Sequence, residues 1–155
     1  QNLQFPLIGV APLAKISYPG YENPRGMTLD TGHSHFVFTE GEKFGDESRM
    51  IAWLTNALSG DGLCPALGIV INGGNVTREE IHRLATSRRL KFPLLIVEGT
   101  GRFADNLAAV IRGMSSDDEE LHEIAEKGEV QLVSVQDGPE GLRSNLELLF
   151  AAHTK

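Results

Sequence analysis

Two glycine-rich turns carry the residue types that bind anions. One is Gly99-Thr100-Gly101-Arg102, followed by Asp105; the other is Asn72-Gly73-Gly74-Asn75. Glycine lets the main chain approach a ligand closely. The helix start expected after each turn offers unpaired N–H groups and a partial positive charge, which suits phosphate. Thr100 adds a hydroxyl, and Arg102 adds a guanidinium that can grip a pyrophosphate through two bonds or stack on a base. Three roles are open to Asp105: complementing the helix dipole, orienting Arg102, or holding a ribose hydroxyl. Gly-x-Gly also serves plain tight turns, and the chain has neither Gly-x-Gly-x-x-Gly nor a Walker pattern.

Other polar residues support weaker readings. His33 and His35 stand at i and i+2 entering a strand, so they point the same way. No Cys, Asp or Glu at a familiar spacing completes a zinc set; a hydrogen-bonding or structural role fits better, with His33 or His35 placed to lie near a ligand. Asp46 and Glu47 fit a helix N-terminus; Arg49, one turn in, can reach an anion, though a solvated arginine is the commoner outcome. Glu98 ends a strand, where either a general acid/base or a structural carboxylate can sit. Cys64 precedes Pro65 and reads as a small buried or loop residue rather than a nucleophile. Neither Gly-x-Ser-x-Gly nor His-Glu-x-x-His occurs, so no residue is assigned a catalytic role.

The elements that must position these turns are legible as apolar runs. Strands are expected at Leu7–Ala11, His35–Thr39, Leu67–Asn72, Leu94–Glu98 and Glu129–Val135. The third and fourth are nearly continuous in Leu, Ile and Val, which is the pattern of strands covered on both faces of a parallel sheet. Helical spacing is expected over Asp46–Leu58, Thr77–Leu90, Phe103–Gly113, Ser116–Lys127 and Pro139–Ala152. Thr77-Arg78-Glu79-Glu80 and Ser116-Asp117-Asp118-Glu119 both read as capping boxes, and Gly113 as a C-terminal cap. Strands alternating with helices predict an α/β, Rossmann-like fold: a mostly parallel sheet with helices on both faces. Ligands in such folds bind outside the carboxyl ends of the strands, where both glycine turns and Pro12 should collect. Residues Pro12–Gly32 break the rhythm and are rich in turn formers. They read as a connection without secondary structure, either a ligand lid or a surface loop.

Composition bounds the function. The 155 residues fit one domain, 1–155. A net charge of −7 with no basic stripe argues against nucleic acid, because phosphate neutralisation needs clustered Lys and Arg. No run nears the ~20 apolar residues of a membrane span, no signal peptide is visible, and a single cysteine suits a reducing cytoplasm. The first residue is not Met, which reads as a fragment or a processed product.

Several segments occur in a telling order: Leu7-Ile8-Gly9-Val10-Ala11-Pro12, Leu29-Asp30-Thr31-Gly32-His33-Ser34-His35-Phe36, Phe44-Gly45-Asp46-Glu47, Ile71-Asn72-Gly73-Gly74 and Val97-Glu98-Gly99-Thr100-Gly101-Arg102-Phe103-Ala104-Asp105. Over roughly Pro6–Arg112 this resembles the SLOG superfamily and, within it, the LSDAT group. That group includes prokaryotic proteins and the cytoplasmic N-terminal region of melastatin-type TRP channels. The resemblance implies a Rossmann-like domain that senses a nucleotide-derived ligand such as ADP-ribose or an NAD-related molecule, with no other cofactor required. It implies a ligand contact at Arg102, accompanied by Gly99, Thr100, Gly101, Asp105, Gly73 and Gly74. The family's first strand–helix unit, with its own glycine-rich turn, has no counterpart before the Ile8 strand. A missing N-terminal segment, an effector domain or a homo-oligomer is therefore the expected partner. Other SLOG branches resemble phosphoribohydrolases and carry Gly-Gly-x-Gly-Thr-x-x-Glu. Asn72-Gly73-Gly74-Asn75-Val76-Thr77-Arg78-Glu79 is a loose echo of that pattern and gives the alternative, a hydrolase of a nucleotide N-glycosidic bond.

Overall fold

The computed structural model describes residues 5–60, 63–87 and 92–152. The chain is α/β and its paired strands are parallel. It divides into two compact units, 1–54 and 55–155, with the division falling inside a helix.

In the N-terminal unit, β1 (Ile8–Pro12) pairs in parallel with β4 (His35–Thr39), Val10 opposite Val37. The segment between them has more structure than its turn-rich composition predicts. A 3-10 turn at Leu13–Lys15 leads into β2 (Ile16–Ser17), which pairs with β3 (Met27–Thr28). Tyr18-Pro19-Gly20-Tyr21 then makes a tight reversal. The Tyr18 and Tyr21 amides bond to each other's carbonyls at 3.0 and 2.8 Å, and Gly20 takes φ 92°. Proline followed by a residue at positive φ is the type II turn, so two residues fix this tip locally. Helix α1 spans Ser48–Leu58.

In the C-terminal unit, β5 (Gly68–Ile71), β6 (Leu94–Glu98) and β7 (Val130–Ser134) form a parallel sheet in the order β5-β6-β7. Its helices are α2 (Asn75–Thr86), α3 (Arg102–Ile111), α4 (Glu119–Lys127) and α5 (Gly138–Ala152). The period-2 alternation of β6 sends Leu94 and Ile96 to one face and Leu95 to the other. The first face packs on Ile81, Leu107, Leu121 and Ile124 of α2, α3 and α4; the second packs with Leu142, Leu146 and Leu149 of α5. Helices thus cover both faces, as the Rossmann-like reading requires. Full burial of Leu107 anchors α3, and stabilises by about 1.5–3 kcal/mol.

Three local expectations are corrected. Strand β5 is not covered on both faces: Val70 is buried, but Ile69 and Ile71 are exposed, because α5 packs over Leu95 and Val133. Helix α2 begins at Asn75 with Gly74 as its N-cap, so Thr77 lies inside the first turn and no side chain caps it. The expected end of that helix at Leu90 lies outside the described residues. Helix α4 is capped by Asp118, whose carboxylate accepts from the Glu120 and Leu121 amides, while Ser116 Oγ accepts from the Asp118 amide. Asp is as good a cap as Ser, and here its carboxylate reaches two amides of the first turn. Gly113 ends α3 as predicted, with its amide bonded to the Val110 carbonyl and that of Met114 to Ala109. Among the described residues, no helix is long and apolar enough to cross a membrane.

Candidate functional site

The two glycine turns lie side by side after β5 and β6 and are braced against each other. Asn72 sits at φ 59°, a conformation Asn tolerates. Its amide donates to Thr100 Oγ1 at 2.7 Å, and its side-chain Nδ2 donates to the Thr100 carbonyl at 2.7 Å. The Thr100 hydroxyl in turn donates to the Val97 carbonyl at 2.7 Å. The Gly73 and Asn72 carbonyls accept from the Phe103 and Ala104 amides at 3.4 and 2.9 Å. The first turn thus caps α3. Asp105 resolves to a fourth role, accepting from the Gly99 amide at 2.7 Å and closing the second turn.

Unpartnered amides therefore remain at the start of α2 rather than at α3. The amides of Asn75, Val76 and Thr77 have no partner among the described residues, and Gly74 supplies no side-chain cap. The Arg102 guanidinium lies over this helix start. A β-carbon at Gly74 would sit 2.5 Å from Arg102 Nη2, so a glycine is what lets the arginine approach. Arg102 is exposed, sits at φ 55°, and has no ion pair among the described residues. A left-handed non-glycine residue costs of order 1–3 kcal/mol, and here it aims the side chain back across the turn.

A cleft of about 310 Å³ opens at this place, lined by Gly74, Asn75, Arg78, Arg102, Asn106 and Asp118 among others. The first turns of α2, α3 and α4 meet there. Arg78 is held at α4 by Asp118 (2.8 Å) and Glu120 (2.6 Å). The bond to Glu120, with Asp118 and Glu79 close by, pushes its pKa above the ordinary arginine value. Two carboxylates therefore neutralise one cation of the cleft and leave the other free. Asp118→Asn is expected to keep the α4 cap, since Asn caps as well as Asp, and to tighten inorganic phosphate binding a few-fold by releasing charge on Arg78. Competition titration of phosphate against wild type and variant reads this directly.

Of the residues singled out from the sequence, Gly73, Gly74, Gly99, Thr100, Gly101, Arg102 and Asp105 come together in the C-terminal unit. Pro12 and His33 belong to the N-terminal unit. Pro12 is fully buried at the end of β1. His33 packs its ring on Phe36 at 5.3 Å, with Nδ1 3.4 Å from Asp30 Oδ2. That approach lacks hydrogen-bond geometry, and Nδ1 has no hydrogen-bond partner among the described residues. His35 is turned to Ser34 Oγ at 2.9 Å. Among the described residues, no three His, Cys, Asp or Glu side chains group as a metal site. Cys64 is exposed. Arg78, Asn106 and Asp118 were not legible as site residues, because the packing of α2, α3 and α4 brings them together; Arg78 and Asp118 are forty positions apart.

Glu98 is engaged by Arg112, whose Nε donates to both carboxylate oxygens at 3.0 and 3.2 Å and whose Nη2 donates to Oε2. The Arg112 hydrogen bond holds the Glu98 carboxyl below its ordinary range. With its pKa depressed on folding, the pair's contribution is present above the unfolded carboxyl pKa and is lost as pH falls through the folded value. Carbon-detected NMR titration is expected to place the Glu98 midpoint below that of free glutamate in wild type. In Arg112→Met it should return toward the free value.

A family model described as SLOG in TRPM, prokaryote, matches residues 1–143. No curated protein matches the chain. The match spans both units and the ordered motifs from Ile8 to Asp105, and the chain belongs to this prokaryotic SLOG-in-TRPM family.

Proposed function

We propose that the chain binds a nucleotide-derived ligand of the ADP-ribose or NAD-related class, with a phosphate group against the first turn of α2 and the Arg102 guanidinium. One observation carries the reading: an exposed arginine in a strained conformation reaches over a glycine N-cap to a helix start whose amides lack partners among the described residues. Unsatisfied amides and a cation without a counter-ion favour the same guest, an anion. The cleft's Asn75, Asn106 and Asp118 can serve the hydroxyl and base edges of such a ligand. Its use is sensing, with occupancy passed to an effector domain or a second copy.

The test is a thermal-shift screen with ADP-ribose, NAD, cyclic ADP-ribose, AMP and ATP, followed by chromatography of the recovered ligand. A ligand at about 100 times its Kd adds about 2.7 kcal/mol to stability. A clear shift by a diphosphate ligand recovered intact is expected. Cleaved ligand would replace the sensing reading with the hydrolase, and no shift with any compound would overturn the binding reading.

A further inference from the structure

Where α4 meets the phosphate cleft, one carboxylate serves two partners. Asp118 Oδ1 accepts from the Glu120 and Leu121 amides at 3.2 and 3.4 Å, and so caps α4. Asp118 Oδ2 pairs with Arg78 Nη1 at 2.8 Å, and so ties that cap to the first turn of α2. Arg78 and Asp118 line the phosphate cleft. They also line a second, open depression whose other residues are Ser116, Asp117, Glu119 and Glu120. The pair is therefore shared by two surfaces of the C-terminal unit.

The rest of α4 is held by other contacts. Leu121 and Ile124 are buried, and His82 Nε2 of α2 meets Glu123 Oε2 at 2.6 Å. The residues that lead into α4 have less support. Gly113, Met114 and Ser115 are exposed, and Gly113, at φ 88°, has nothing within 4 Å of where a β-carbon would stand. Ser116 goes with α4, since its carbonyl accepts from His122 Nε2 at 2.9 Å. The part of α4 that depends on Asp118 is thus its first turn. A phosphate at the start of α2 adds negative charge to a cleft that already carries this carboxylate. It repels Asp118 and competes with it for the Arg78 guanidinium. Such coupling is reciprocal. If the Asp118 charge weakens phosphate binding a few-fold, bound phosphate weakens the Arg78–Asp118 contact by the same factor.

We propose, resting on the phosphate reading above, that occupancy of the cleft loosens the first turn of α4. This turn, with the depression beside it, is then the element through which the C-terminal unit reports its ligand. The change needs no rearrangement of the core: one helical turn frays while Leu121 and Ile124 stay packed and the His82–Glu123 pair keeps the second half of α4 on α2.

The experiment follows backbone amide exchange with water by NMR in the full 155-residue chain, with and without saturating inorganic phosphate at fixed pH and ionic strength. Shifts of the Gly74, Asn75, Val76 and Thr77 amides report phosphate binding. Exchange at Glu120 and Leu121 reports the α4 turn. Phosphate is expected to speed exchange at Glu120 and Leu121 about threefold, the same factor by which the Asp118 charge opposes phosphate, and to leave Ala125 and Glu126 unchanged. Asp118→Asn keeps the Oδ1 cap and loses the charge, so phosphate should bind this variant and no longer speed exchange at Glu120 and Leu121. Shifts at Gly74 to Thr77 with unchanged or slowed exchange at Glu120 and Leu121 would overturn the coupling and leave the phosphate reading standing. An acceleration that persists in Asp118→Asn would also overturn it, since the carboxylate would then play no part. No shifts at Gly74 to Thr77 at any phosphate concentration would overturn both.

Discussion

Arg102→Ala is expected to weaken ADP-ribose binding by about ten- to a hundredfold while the melting temperature stays close to wild type. The fold-change corresponds to loss of a charge-assisted contact of about 1.5–3 kcal/mol. Stability is spared because the side chain is exposed and has no ion pair among the described residues. Arg102→Gly separates backbone strain from side-chain contact. Glycine relieves the positive φ of 55° at no steric cost, at the expense of a more flexible unfolded chain. The glycine variant should therefore fold at least as well as the alanine variant and bind equally poorly. Calorimetric titration and thermal melts on the three proteins test both halves. A large fall in melting temperature with unchanged affinity would assign Arg102 to the fold instead.

The second large effect is expected at Gly101. It precedes α3 at φ 91° and ψ 173°, a region that only glycine populates readily. Gly101→Ala should cost about 1–3 kcal/mol, read as a lowered urea midpoint at constant m-value. It should also lose ligand binding, because any relief of strain rotates the Arg102 peptide away from Gly74. Gly74→Ala makes the contrasting control. Its backbone, φ −124°, accepts alanine, and the new β-carbon meets only the far end of a flexible arginine. Stability should hardly change while binding falls. A Gly101→Ala protein of unchanged stability would contradict the geometry of this turn.

The parts of this structure that follow from local chemistry were legible in the sequence. Leu94-Leu95-Ile96 reads as a strand buried on both faces, and it is. Gly113 reads as a helix end because its conformation is set within one turn. Helix starts were displaced where caps competed. Asp118 took the place of Ser116, and a glycine without any side-chain cap started α2 ahead of Thr77. Residues Pro12–Gly32 read as structureless in sequence because the two-residue strands β2 and β3 leave no periodicity to detect.

The candidate site divides in the same way. Both glycine turns and Arg102 were visible, since each turn is contiguous in sequence. Their division of labour was not. The Thr100 hydroxyl looks like a ligand donor in sequence, yet Asn72 and Val97 occupy it, twenty-eight and three residues away. Likewise, Arg78 looks like a helix-surface residue until α4 delivers Asp118 and Glu120 beside it. Such pairings depend on which helices pack together, and no local pattern encodes that.

Phosphate is expected at the start of α2 under Arg102, and backbone amide NMR reads that position. Glycine amides resolve well, so Gly73, Gly74 and Gly101 report on the cleft beside Asn75, Val76 and Thr77. On titration with ADP-ribose, the largest shifts are expected at Gly74, Asn75, Val76 and Thr77, saturating together and lost in Arg102→Ala. Saturable binding whose shifts leave these amides unmoved would contradict it and place the ligand elsewhere on the chain.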